Sequence, residues 1–500
     1  MSGERPPHPL LEASGDAMKQ RAVRGAVITT LAQAVKLFVQ IASVVLLSRM
    51  LLPSDFGIYA MLAPIVGFAM LFQDFGLSQA LITSKNLTQG QAAMIFRVNA
   101  ILSIAVAVIL AGCAPLISAF YKEPAVTWLI IALSFQIIMA GLTSSHRSLL
   151  SRGMRFKQLA ILEIVSTLAG FIAALIWAWW SPSPWVLVVQ SLMMTGLFML
   201  GAWVATRWLP TESGSYDDIR SMMHFGFGMT GFTLTNFVSR NADNLMIGWA
   251  HGATQLGFYD RAYKLLLFPL MQVNAPISNV IIPVLSRLTD EPQRYRFAYL
   301  RTVRQMLLLT MPGVTFLIVS ADVLIPALMG EVWRPAVPIF MWLGVAAIHQ
   351  TISNTFGWLF ITQRRTTTYA KFGLFATVTC VAAFAAGLPW GAVGVAAAYS
   401  LSGIAIRLPL LVWLSGRQGP VSSRDIVKTF IPYLVACLLA AGSCLLLKPI
   451  LPGNAYLYLV CTCLLIYGIA WMVLLAIPEG RATFKESLQL LPFKAFKKKS

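Results

Sequence analysis

Apolar runs long enough to cross a lipid bilayer recur along this chain from about residue 25 to residue 477, and no other feature limits its fold so strongly. A helix rises about 1.5 Å per residue, so spanning a hydrocarbon core about 30 Å thick takes roughly 20 apolar residues. Taken as runs bounded by charge, glycine or proline, the spans fall at 25–48, 57–82, 93–120, 125–145, 159–180, 185–206, 225–250, 257–285, 303–322, 336–361, 369–388, 391–414, 428–447 and 455–477. These fourteen helices predict an all-α polytopic membrane protein. Composition agrees. With 57% hydrophobic and 11% charged residues, against about 25% charged in a soluble domain, a water-soluble fold is excluded.

The few charges say which way the spans run. Lys and Arg of short loops stay on the cytoplasmic side. With the N-terminus inside, one set of alternate segments carries 29 of the 38 basic residues, and the other set carries four, Arg49, Lys122, Arg334 and Lys448. A miscounted span would swap every segment after it, so both termini are expected to be cytoplasmic. The net charge of +19 sits at the ends of apolar runs, where anionic headgroups are the nearer counter-charge. Membrane lipids are therefore the expected partner, and nucleic acid is not. Cys113, Cys380, Cys437, Cys444, Cys461 and Cys463 lie inside apolar runs and read as small buried hydrophobes. No histidine pair has metal-ligand spacing, so neither metal nor cofactor is expected. Residues 1–24 are polar and end in Lys19, Arg21 and Arg24 with no apolar stretch before them, which predicts an uncleaved first span.

An offset of 200 residues lays LLPSDFGIYA at 51–60 over HGATQLGFYD at 251–260, matching Gly57 to Gly257 and Tyr59 to Tyr259. The same register sets Asp74 over Asn274 and Ser78 over Ser278. The offset equals six spans, so spans 1–6 and 7–12 read as two homologous six-helix bundles of equal orientation, with two C-terminal helices appended. The expected organisation is a cytoplasmic segment 1–24, a first lobe 25–207, a cytoplasmic linker 208–222, a second lobe 223–414, two further helices in 415–477, and a basic cytoplasmic tail 478–500.

Charged side chains inside spans are costly and mark function by default. In span 1, Thr29, Gln33, Lys36, Gln40 and Ser43 recur every three or four residues along one helical face. At the offset, Thr233, Asn236, Arg240 and Asp243 form the matching stripe in span 7. Two first helices, each with one wet face, predict a polar cleft between bundles; the alternative is that these residues stitch helices together, Arg240 pairing with Asp243. Arg261 and Lys264 near Asp260, and Arg407 in span 12, are further candidates for the cleft or its mouth; the alternatives are that Asp260 and Lys264, spaced i,i+4, neutralise one another while Arg261 snorkels, and that Arg407 reaches the cytoplasmic interface. Asp74, in QDFGLSQA, is a candidate for ion coupling, with capping or an interhelical bond as the alternative. Glu163, near the cytoplasmic end of span 5, reads as structural.

LLSRMLLPSDFGIYAMLAPI at 46–65, QDFGLSQALI at 73–82, SRNADNLMIG at 239–248, LGFYDRAYKL at 256–265 and PVLSRLTD at 283–290 together resemble the Wzx-like polysaccharide flippases. These belong to the MOP superfamily, with the MATE drug exporters and the lipid II flippases; the exopolysaccharide branch, of the colanic-acid type, is the nearest. The likeness runs from about residue 20 to 480. It implies a two-lobed fourteen-helix MATE-like fold in the inner membrane of a bacterium. That fold would flip an undecaprenyl-diphosphate-linked oligosaccharide repeat unit by alternating access, for exopolysaccharide, capsule or O-antigen synthesis. A cationic lumen for the diphosphate is implied too, and a polymerase and chain-length regulator are candidate partners. The intramembrane tally here is five basic residues against four acidic, barely cationic. The rival readings are a MATE-like drug or metabolite antiporter and a membrane polysaccharide polymerase. A polymerase commonly needs a large outer loop with acid or arginine chemistry, and here the longest outer loop, 322–336, is short. A transporter, not an enzyme, is expected.

Overall fold

A computed structural model describes residues 18–74, 76–84, 87–212 and 220–490; within these, the side chains of 18–31, 220–236, 239, 267–273, 275–276 and 488–490 lie outside the description. Every extended element is helical: α1 (Met18–Met50), α2 (Pro53–Asp74), α3 (Leu77–Thr83), α4 (Gln89–Tyr121), α5 (Ala125–Arg152), α6 (Phe156–Trp180), α7 (Trp185–Thr206), α8 (Arg220–Arg287), α9 (Pro292–Val319), α10 (Ala321–Met329), α11 (Ala336–Thr362), α12 (Thr366–Gly387), α13 (Gly391–Ser402), α14 (Leu408–Gly416), α15 (Ser423–Leu447), α16 (Ala455–Ala476) and α17 (Pro478–Leu490).

Among the described residues, 11 helical segments are long and apolar enough to cross a membrane. The fourteen expected spans differ from these at two places. The segment Thr366–Gly416 is continuous over 51 residues, although the chain turns within it at Leu388–Trp390 and Gly391, where φ is 70°. The 68-residue α8 holds the seventh and eighth expected spans and breaks at Gly252, with φ 75° and ψ −175°. A third difference is a correction. The second expected span, 57–82, is not one helix: α2 stops at Asp74, Gly76 adopts φ 73°, and α3 restarts at Leu77. Asp74 itself receives the Ser78 amide and so caps the new helix.

The chain divides into two compact units, Met1–Gly257 and Phe258–Ser500. By packing, the first half of α8 thus goes with the first unit, whereas the repeat groups it with the second lobe. In the first unit Leu62, Val66, Leu110, Leu129, Ile130 and Leu133 form a core where α2, α4 and α5 meet. In the second, Tyr299, Phe356, Phe360, Cys437, Ala440 and Ile466 join α9, α11, α15 and α16. Apolar side chains that face outward, such as Ile101, Val108 and Leu116 of α4, suit lipid. Trp179 and Trp180, both 81% exposed, cluster with Trp177 and Trp185 around the α6–α7 turn as an interfacial aromatic belt would.

Lipid is as apolar as the helices, so close backbone packing must hold them together. The repeat supplies such a contact. A Cβ on Gly57 would lie 1.7 Å from the Ala253 carbonyl oxygen, and one on Gly257 would lie 1.9 Å from that of Pro53. The two glycines matched by the 200-residue offset therefore lie against each other, α2 on α8. The repeat persists later with a longer spacing. Met154 and Arg364 both adopt positive φ, 51° and 56°, between their helices. The arginine that follows each reaches the C-terminal carbonyls of its bundle's last helix, Arg155 to Ala205 at 3.4 Å and Arg365 to Leu414 at 2.6 Å.

Candidate functional site

Four helices and the α2–α3 turn of the first unit line a cavity of about 470 Å³. α1 contributes Lys36; the turn contributes Gln73, Asp74 and Ser78; α5 gives Thr143, Ser144, Arg147, Ser148 and Ser151. α6 adds Glu163, Ser166 and Thr167, and α7 adds Met194, Thr195 and Phe198. Serine and threonine hydroxyls are spread along this wall, and those of Thr143, Ser166 and Thr167 also donate to backbone carbonyls of their own helices.

The cavity's two carboxylates are satisfied in different ways. Asp74 is held by neutral donors: the Ser78 hydroxyl at 2.6 Å, the Ser144 hydroxyl at 2.8 Å and the Asn99 amide at 3.2 Å. Ser78 and Ser144 are themselves in hydrogen-bond contact, and Asn99, fully buried, also donates to Ser144 at 3.1 Å. This network ties α2, α3, α4 and α5 together through the Asp74 carboxylate.

Glu163, by contrast, stands between two cations. Arg147 donates to one carboxylate oxygen at 2.6 Å, and the Lys36 ammonium lies 3.9 Å from the other. The second separation is too long for a hydrogen bond, so Lys36 keeps its three donors for other acceptors. Side-chain exposures of 30% for Lys36, 57% for Arg147 and 19% for Glu163 leave all three open to the cavity. Arg147 also lies over the Phe198 ring, 5.3 Å from its centroid.

The other predicted residues are scattered. On α1, Gln33 is exposed and Gln40 is half-buried. Ser43 is buried and accepts from Gln190 of α7 at 2.9 Å. The lower part of the polar stripe thus faces its own bundle. The side chains of Asn236 and Thr233 of the second stripe, and of Thr29 of the first, lie outside the description. Arg240 is exposed and makes no ion pair among the described residues, while Asp243 is buried and accepts from the Asn244 amide at 2.8 Å.

In the second unit Asp260 is buried and binds both predicted cations, Lys264 at 2.8 Å and Arg261 at 3.1 Å. Arg407 ends a π-helical turn, Gly403–Arg407. Its guanidinium contacts Cys380 and the Tyr399 carbonyl and stacks 4.4 Å from the Tyr399 ring centroid. Lys36 and Asp74 are therefore the predicted residues that share one cavity.

Arg147, Glu163 and Ser144 are the cavity residues missed from the sequence. α5 runs on to Arg152 and α6 begins at Phe156, past the apolar limits 145 and 159. Arg147 and Glu163 therefore face each other across antiparallel helices rather than lying in a loop. The available signal was Glu163 itself, an acid inside an apolar run.

The family profile described as "Polysaccharide biosynthesis protein" matches residues 46–338. The lipopolysaccharide biosynthesis protein WzxC of Escherichia coli K12 is 22% identical over 388 residues, 77% of this chain and 79% of its own length. The teichuronic acid biosynthesis protein TuaB of Bacillus subtilis 168 is 24% identical over 351 residues, 70% of this chain and 73% of its own. Among solved structures, the lipid II flippase MurJ in its inward closed conformation aligns with a TM-score of 0.71 at 14% identity, covering 90% of this chain and 99% of MurJ. That likeness establishes the MOP-type fold. With the profile spanning more than half of the sequence, this multi-pass membrane protein belongs to the polysaccharide biosynthesis protein family.

Proposed function

We propose that the chain is a flippase that carries a polyprenyl-diphosphate-linked oligosaccharide across the inner membrane of a bacterium for surface or secreted polysaccharide synthesis, with both termini in the cytoplasm. The observation that carries this reading is the 470 Å³ hydroxyl-lined cavity with Lys36 and Arg147 in its wall, in a chain of the polysaccharide biosynthesis family. A diphosphate and several sugars cannot enter about 30 Å of hydrocarbon unaided, because each unpaired charge or hydroxyl there costs kilocalories. Lys36 and Arg147 supply charge-assisted hydrogen bonds to phosphate oxygens, and the serines and threonines supply donors and acceptors for sugar. The polyprenyl tail remains in lipid beside the protein. No bond is made or broken, so the carrier needs alternating access rather than a catalytic group.

The relatives named for lipopolysaccharide and teichuronic acid biosynthesis favour a glycan cargo over the drug cargo of a MATE-like antiporter. A polymerase and a chain-length regulator fit as neighbours in the same synthesis. Deleting the gene is expected to abolish exported polymer while lipid-linked repeat units accumulate on the inner leaflet. Normal polymer export by such a strain, in a host without a redundant transporter, would contradict the reading.

A further inference from the structure

Glu163 is the feature that a simple phosphate clamp does not explain. A cavity built only to hold a diphosphate would leave its cations unpaired, yet α6 inserts a carboxylate between the cation of α1 and that of α5. The charges of the cavity wall then balance, with Lys36 and Arg147 against Asp74 and Glu163. Asp74 is held by Ser78, Asn99 and Ser144, which leaves Glu163 as the acid that meets the cations.

We infer that Glu163 is a resident stand-in for the substrate phosphate: it neutralises Lys36 and Arg147 when the cavity is empty and yields them to the diphosphate on loading. This rests on the headgroup reading above and adds an exchange step to it. Two physical needs of a carrier motivate the exchange. An empty carrier must reset without substrate, and two unpaired like charges facing the same position in the wall would oppose that return. A carrier must also release its cargo, which requires binding strong enough to load but weak enough to leave. A competing carboxylate within reach of both cations meets both needs.

The geometry permits the exchange. Arg147 has five N–H donors in a planar fork and Lys36 has three, so both can turn to a new acceptor without leaving the wall. The 3.9 Å separation between Lys36 and Glu163 shows that this ammonium is held by charge and not by a hydrogen bond. Glu163 is therefore a specificity-determining residue, one that penalises any anion too weak to displace it.

The test measures binding of geranylgeranyl diphosphate to the purified full-length protein in detergent. Glu163→Gln is expected to bind at least ~10-fold more tightly than wild type, equivalent to about 1.4 kcal/mol, and to turn over more slowly in vesicles. Unchanged or weaker binding by folded Glu163→Gln overturns the exchange and makes Glu163 a positioning residue for Arg147. Lys36→Gln and Arg147→Gln test the underlying reading separately: if neither weakens binding, the cavity is not the headgroup site. Should Glu163→Gln not accumulate, Glu163→Cys in a background free of other cysteines serves instead. Modification with an anionic thiol reagent should then weaken binding relative to a neutral reagent of the same size, and equal binding by the two adducts overturns the proposal.

Discussion

A carboxylate inside a membrane protein is costly unless donors or cations surround it, and Asp74 and Glu163 show two solutions with different uses. Removing Asp74 leaves the buried Asn99 amide and the Ser78 and Ser144 hydroxyls short of an acceptor. Asp74→Ala is therefore expected to lose about 1–3 kcal/mol, read as a lower melting temperature of the purified protein. Asp74→Asn keeps an acceptor and should retain most of the stability and the transport. An unchanged melting temperature in Asp74→Ala would contradict the network. At this scale the sequence was partly legible. Lys36 and Asp74 announced themselves as polar groups in apolar runs. Arg147 did not, because hydropathy limits end at the first charges and assign them to loops, whereas the α5 backbone continues to Arg152. Arg240 and Asp243 share a helix face by spacing, yet one side chain is exposed and the other buried.

Helices in lipid gain little from apolar burial alone, so their positions depend on where backbones can touch. The α2–α8 contact at Gly57 and Gly257 is the clearest case. Either residue changed to Leu places a side chain in a neighbouring carbonyl at under 2 Å from the first carbon. Both variants are expected to fail to accumulate in membranes. Gly112 and Gly373 sit mid-helix with open space around them, and Ala there should be tolerated or slightly stabilising. Normal abundance of Gly57→Leu would contradict the packing. The repeat register anticipated that these two glycines correspond; that they touch is a tertiary fact no alignment of the halves contains. Span limits were legible where a short polar turn closes the run, as between Trp180 and Trp185. The α2–α3 break was not, because Gly76 lies inside an apolar run and only its positive φ marks the turn.

For the whole molecule, one class of substrate accounts for the polytopic helices, the family match and the polar, charge-balanced cavity. The apolar runs made the polytopic helical fold readable, since they follow from counting along the chain. The cavity was less readable, because its wall is drawn from α1, the α2–α3 turn, α5, α6 and α7, which no single spacing links. The most direct measurement is translocation of a fluorescent polyprenyl-diphosphate oligosaccharide in vesicles reconstituted with the purified protein. Wild type should move the lipid from one leaflet to the other far faster than protein-free vesicles. The Lys36→Gln/Arg147→Gln double variant, folded and equally incorporated, should lose at least ~10-fold of that rate, since each charge-assisted contact contributes about 1.5–3 kcal/mol. Translocation by the double variant at the wild-type rate, or none above background by wild type, would contradict the account.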